Sequence, residues 1–147
     1  MVKGNRIFKF FRGAFLGDLT TEIHTLSNDD EHVLVHIQPG VIFKRVHQMS
    51  DRKFSMPEAE LERIVSFLGT IRDWKSDYRC KERIFDGYGW DIIYHHRGYD
   101  FESGGYMAYP SNYREKVPEL QTIIEDLWQK YDPDGYSPEA RQERIEL

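Results

Sequence analysis

The sequence contains a single cysteine, Cys80, so no disulfide can form within the chain. It also lacks any apolar run close to the roughly 18–20 residues that a membrane-spanning helix needs. No repeat, low-complexity stretch or uninterrupted apolar signal core is present. These absences exclude a disulfide-rich scaffold and predict a cytoplasmic protein that does not associate with membranes.

An excess of positive charge is also lacking, because 20 Lys and Arg stand against 25 Asp and Glu and the net charge of the chain is -5. Both signs are mixed along most of the chain, which supports solubility and argues against a basic surface for nucleic acid. Four basic residues and no acid lie within the first twelve residues. A solvated strand face is the simpler interpretation of that contrast. We therefore predict no nucleic-acid partner.

Aromatic residues, in contrast, are abundant, with nine Phe, nine Tyr and three Trp. Each large ring can bury roughly 150–250 Å² of surface, so some rings remain for a cleft or an interface once the core is filled. The length of 147 residues is usual for one domain. We predict a single α+β domain over residues 1–132, followed by a polar tail over residues 133–147 with the pattern of a short helix.

The first third of the chain has the pattern of a β meander. Apolar and β-branched residues predict strands over residues 6–11, 20–26, 33–37 and 41–46. The last two flank Pro39-Gly40, a typical turn pair, so we expect them to form a hairpin.

Two amphipathic helices are predicted further along. Ser55 and Glu58 fit a capping box before an apolar stripe, which predicts a helix over residues 57–73. A second stripe ends before Asp132, and the start of its helix has two candidates. Asn112 with Glu115 fits a capping box, but Pro118 would then lie inside the helix and remove a hydrogen bond, so we prefer a helix that begins at Pro118. The first stripe consists of Leu61, Ile64, Val65, Leu68 and Ile71.

A second β region separates the two helices. Arg83-Ile-Phe85 begins it, and residues 90–104 predict a hairpin that turns at Arg97-Gly98. Strands grouped apart from helices favour an α+β fold. We expect a mainly antiparallel sheet of about six strands with two amphipathic helices packed on one face.

The densest group of candidate site residues lies in this second β region. Glycines surround turns that also carry aromatic rings, and such a combination can shape a cleft for a flat ligand or a peptide. The alternative is structural: Asp86-Gly87 forms a tight turn, the tryptophan lies in the core and the glycines relieve crowding. The candidate binding residues are Asp86, Trp90, Ser103, Tyr106 and Tyr109.

The same stretch resembles a pattern in small, uncharacterised bacterial proteins: Asp-Gly-x-x-Trp, a short apolar strand, Ser-Gly, and Tyr-Pro before a C-terminal helix. Those proteins often have an asparagine shortly before the aromatic-Pro pair, where this chain has Tyr106-Met-Ala108. The resemblance implies a fold but no established activity. Some of these proteins resemble toxin-neutralising immunity proteins, so the resemblance implies a binding role. The matching residues here are Asp86, Gly87, Trp90, Ser103, Gly104, Tyr109 and Pro110.

Metal, cofactor and acid–base chemistry have weaker signals. Adjacent His95 and His96 would point to opposite faces of a strand, so they cannot chelate one ion together, and we predict neither a metal site nor a cofactor. Carboxylates about 5–9 Å apart could serve a hydrolase. The four candidates on or beside the hairpin are Asp86, Asp91, Asp100 and Glu102.

A non-catalytic, immunity-like protein-binding module is the favoured function, with aromatic anchors that contact another protein. We keep two alternatives: a small hydrolase that uses the carboxylates of the 86–102 hairpin, and an assembly protein that forms a homodimer through a strand edge or the tail.

Overall fold

The computed structural model describes residues 3–14, 17–79 and 88–135 of the chain. Within them, seven strands form one sheet, and three helices and two short 3-10 turns complete the fold. The strands are β1 Lys3–Ala14, β2 Gly17–Leu26, β3 Asp29–Pro39, β4 Arg52–Pro57, β5 Tyr78–Arg79, β6 Gly89–His96 and β7 Tyr99–Tyr106. The helices are α1 Val41–His47, α2 Leu61–Gly69 and α3 Tyr113–Tyr131, and the 3-10 turns are Glu58–Glu60 and Pro133–Gly135.

The sheet order is β4-β3-β2-β1-β6-β7-β5. Strands β1 to β4 form an antiparallel meander, and the β6–β7 hairpin pairs antiparallel with the other side of β1. Short β5 is parallel to β7. The predicted α+β fold with a mainly antiparallel sheet is therefore confirmed.

The core lies between one face of the sheet and helices α2 and α3. Because side chains alternate along a strand, Phe8 and Phe10 of β1 point to the same face. Both rings are buried, and they belong to one hydrophobic cluster with the apolar stripes of the two helices. Among the helical members, Ile64, Leu68 and Leu120 are fully buried. The predicted layer of helices over a sheet is thus present.

The predicted strand over residues 41–46 is wrong, because Val41–His47 forms helix α1. A Cβ atom on Gly40 would lie 1.6 Å from a carboxylate oxygen of Asp18, and the Gly40 amide donates to the Asp18 carbonyl at 2.8 Å. The chain leaves the sheet at this contact. One helical turn then buries the ring of Phe43 completely. Burial of this one ring outweighs the β propensity of its exposed neighbours.

The predicted capping box at Ser55 and Glu58 is also wrong. Ser55 lies within β4, where Phe54 and Met56 alternate toward the core. Glu58 begins a 3-10 turn, and its carboxylate pairs with Arg97 at 2.8 Å instead of capping a helix. The period-2 alternation of apolar residues was the local signal for this strand.

Helix α2 is shorter than the predicted span of 57–73, because it ends at Gly69. The apolar stripe nevertheless continues through the turns that follow. The Ile71 amide donates to the Leu68 carbonyl at 3.1 Å, and the Trp74 amide donates to the Ile71 carbonyl at 3.0 Å. Tight turns therefore keep Ile71 and Trp74 buried beyond the end of the helix.

Helix α3 begins at Tyr113 rather than at the predicted Pro118. The amides of Glu115 and Lys116 both donate to the Asn112 carbonyl, at 3.1 and 3.0 Å, so the first turn closes before the proline. Pro118 removes one hydrogen bond. The helix tolerates this loss because residues on both sides of the proline pack against the core.

Two other predictions, the strand at Arg83-Ile-Phe85 and the helix in the C-terminal tail, lie outside the described residues. No helix in the described part of the chain is long and apolar enough to cross a membrane.

Candidate binding cleft

A cleft of about 520 Å³ opens where the end of β1, the start of β6 and the first turns of α3 meet. This volume lies within the range of small-ligand and side-chain binding sites. Its walls include Arg12, Tyr88, Tyr109, Pro110, Tyr113 and Arg114.

Three tyrosine rings form most of the aromatic wall. The ring centroids of Tyr109 and Tyr113 are 4.8 Å apart, and those of Tyr88 and Tyr109 are 5.9 Å apart. The hydroxyl oxygens of Tyr88 and Tyr113 lie 2.9 Å apart, within hydrogen-bond distance. Burial raises the pKa of both Tyr109 and Tyr113. Both phenols therefore stay protonated at physiological pH.

Two buried tryptophans hold the loop that connects β7 to α3. The indole nitrogen of Trp90 donates to the Ala108 carbonyl at 3.0 Å, and that of Trp74 donates to the Asn112 side chain at 2.9 Å. These two bonds fix the segment that carries Tyr109. The rings also pack against Tyr113, with centroid distances of 5.2 Å from Trp90 and 6.2 Å from Trp74.

Gly105 makes room for this arrangement. It lies opposite Trp90 in the β6–β7 ladder. A Cβ atom on Gly105 would lie 2.8 Å from the indole nitrogen of Trp90 and 2.6 Å from each of the carbonyl oxygens of Tyr78 and Ala108. Only glycine therefore allows the indole to cross the strand at this point.

Two of the predicted binding residues, Trp90 and Ser103, are buried and have structural roles. Trp90 is 1% exposed and lies beneath the cleft. Ser103 is buried, and its hydroxyl donates to the Lys75 carbonyl at 2.6 Å, which ties β7 to the chain before β5. Asp86 lies outside the described residues. The position of Trp90 agrees with the structural alternative, in which the tryptophan lies in the core.

The two predicted tyrosines, Tyr106 and Tyr109, are both exposed but do not share a site. Tyr109 lines the cleft, and Tyr106 does not. Tyr106 pairs with Gly89 in the ladder and therefore shares the face of Asp91, opposite the core. The next residue, Met107, has a φ of 54°, which turns the chain away from the strand direction before Tyr109.

Of the residues that line the cleft, only Tyr109 was among the predicted binding residues; those missed include Arg12, Tyr88, Tyr113 and Arg114. A signal existed for Tyr113, because it precedes Val117 and Leu120 at helical spacing. Arg12 lies on the same face of β1 as Phe8 and Phe10. Its charge nevertheless favoured the prediction of a solvent-exposed residue.

A second, smaller cleft of about 270 Å³ lies between α2 and the β6–β7 hairpin. Glu58 and Arg97 form two hydrogen bonds of 2.8 Å across it, so their charges are already paired. His96 lies 3.8 Å from the same carboxylate.

Of the hairpin carboxylates, Asp91, Asp100 and Glu102 line neither cleft, and Asp86 lies outside the described residues. Asp100 and Glu102 are exposed, and they lie 2.8 and 3.6 Å from opposite nitrogens of His95. Asp91 is half-buried on the same sheet face, and this burial raises its pKa. In the described ranges, no group of three His, Cys, Asp or Glu side chains could hold a metal ion.

His95 provides a pH-dependent contact. Its hydrogen bond to Asp100, followed by that to Glu102, raises its pKa above 6.5. Any stabilisation from this contact is therefore fully present below pH 6.5 and is lost as pH rises through the folded-state pKa. We expect Asp100→Asn to lower the pKa of His95 in an NMR titration of the imidazole, whereas Asp73→Asn should leave it unchanged. An unchanged value in Asp100→Asn would show that the contact is not formed in solution.

Comparison with known proteins provides no counterpart for this arrangement: no family model, no curated protein and no solved structure matches the chain. The resemblance to small bacterial proteins therefore stays a prediction.

Proposed function

We propose that this domain is a non-catalytic protein-binding module, and that the tyrosine-lined cleft receives an exposed segment of its partner. The observation that carries this proposal is the wall of Tyr88, Tyr109 and Tyr113 around a cleft of about 520 Å³. Tyrosine and arginine are enriched among the residues that dominate binding energy at protein interfaces.

The rigidity of the cleft supports the same role. Tyr109 is 41% exposed, so its ring is accessible to a partner. Its loop is fixed from below by the hydrogen bond from Trp90 to Ala108. A prearranged aromatic surface loses little conformational entropy on binding, because few side-chain rotations remain to be fixed.

Tyr109 and Tyr106 offer a matched pair of test variants, because their exposures are similar at 41% and 36% and only Tyr109 lines the cleft. We expect Tyr109→Ala to abolish recovery of a specific partner from extracts of the native host, and Tyr106→Ala to preserve it. Quantitative mass spectrometry of the captured proteins measures this difference. Equal recovery by both variants and the unaltered protein would contradict the proposal.

The proposal includes a cytoplasmic location and an immunity-like role, in which the bound segment belongs to a toxin. One cysteine in the chain suits a reducing compartment. Co-expression with the captured partner would test the second point, because neutralisation requires that Tyr109→Ala abolish protection.

A further inference from the structure

Positive charge is concentrated at the cleft, although the whole chain carries a net charge of -5. Arg12 lies on one wall and Arg114 on another, and no aspartate or glutamate of the described residues lines the cleft. The cleft is therefore complementary to negative charge.

Arg12 is held in place from inside the protein. It is 8% exposed, and its guanidinium lies 5.8 Å from the ring centroid of Phe10. A terminal nitrogen of Arg12 donates to the Gln121 side-chain oxygen at 3.3 Å. The Gln121 amide in turn donates to Glu125 at 2.7 Å, and both of these α3 residues are almost fully buried.

This buried chain of contacts has a consequence for binding. These contacts hold the guanidinium of Arg12 in one position at the cleft. A ligand therefore meets a side chain that is already ordered, and little conformational entropy is lost when it binds. Arginine in such a position presents several N–H groups with a geometry that fits the two oxygens of a carboxylate. Arg114, which is exposed at the start of α3 and lines another wall of the cleft, can approach the same group.

We infer that the partner segment inserts an Asp or Glu carboxylate between Arg12 and Arg114, with a neighbouring apolar or aromatic side chain against the Tyr109 ring. This inference rests on the proposed protein-binding function and names the chemistry of the segment that binds. The arginines recognise the charge, and the tyrosines supply the contact area.

Selection from a display library of randomised linear peptides tests this inference with defined probes. We expect the unaltered protein to select peptides that share an Asp or Glu beside an apolar or aromatic residue. Arg114→Glu should weaken binding of the same synthetic peptides by about tenfold or more, because one partner of a charge pair is reversed. Replacing the shared acid by Asn or Gln should weaken binding to the unaltered protein in the same way.

Lys53→Glu is the matched control, because it makes the same charge change at an exposed residue of edge strand β4, away from the cleft. Its peptide affinity should stay close to that of the unaltered protein. Peptides that require Tyr109 but show no acidic preference and no response to Arg114→Glu would overturn the carboxylate inference alone. Failure to select any Tyr109-dependent peptide would overturn the proposed function as well.

Discussion

Replacing Gly105 by alanine should lower the free energy of unfolding by about 2–3 kcal/mol, the upper range for forcing extra atoms into a packed site. The added methyl carbon would lie 2.6 Å from two backbone oxygens, those of Tyr78 and Ala108. Backbone atoms cannot rotate away as a side chain can. The strand and the loop would have to separate, which would also disturb the position of Trp90. Urea denaturation monitored by circular dichroism measures the loss.

Gly69 provides the control for this substitution. It is the last residue of α2, and a Cβ atom there would have no other atom within 4 Å. Gly69→Ala should therefore raise the free energy of unfolding by about 0.5–1 kcal/mol, because alanine has the higher helix propensity. If Gly105→Ala were as stable as the unaltered protein, the close packing of Trp90 across Gly105 would be absent in solution.

Much of the sheet was predictable because its signals are local. The pattern over residues 90–104 predicted a hairpin, and β6 and β7 pair there with a turn at Arg97-Gly98. Both turn residues have positive φ values, 48° and 79°, as a two-residue hairpin turn of type I′ requires. In this segment the strand propensity, the alternation and the turn chemistry all agree, so neighbouring residues suffice to define the structure.

Two of the errors occurred where distant contacts decide the local conformation. Helix α1 replaced a predicted strand because of a contact between Gly40 and Asp18 and the burial of Phe43, and none of these is visible in the 41–46 pattern. Strand β5 has two residues and pairs in parallel with β7. So short a strand has no sequence period of its own, and only the assembled sheet defines it.

The candidate site was predictable only in part for the same reason. Sequence reasoning found Tyr109 and the importance of Trp90, because glycines and aromatic residues are close together in that stretch. It could not separate Tyr106 from Tyr109, since the separation depends on the positive φ of Met107. It also missed Arg12, whose contact with Gln121 joins residues that are 109 positions apart.

Substitution of Trp90 should affect both stability and the cleft. Trp90 is 1% exposed, and its ring packs against Trp74, Tyr78 and Tyr113. Trp90→Ala should therefore cost about 3–5 kcal/mol of unfolding free energy, as is usual for deletion of a buried large ring. Trp90→Phe keeps an aromatic ring but loses the donor to the Ala108 carbonyl, so its cost should be nearer 1–2 kcal/mol, measured by urea denaturation.

The phenylalanine variant separates the two roles of Trp90. Its fold should remain, but the loop with Tyr109 loses its anchor, so we expect weaker binding of Tyr109-dependent peptides. Ile92→Val is the control, because Ile92 is fully buried two residues further along β6 and this change typically costs about 0.5–1.5 kcal/mol. It leaves the hydrogen bond to Ala108 intact and should bind normally. Equal weakening in both variants would mean that the loss of binding follows stability in general, and that the hydrogen bond from Trp90 does not position the cleft.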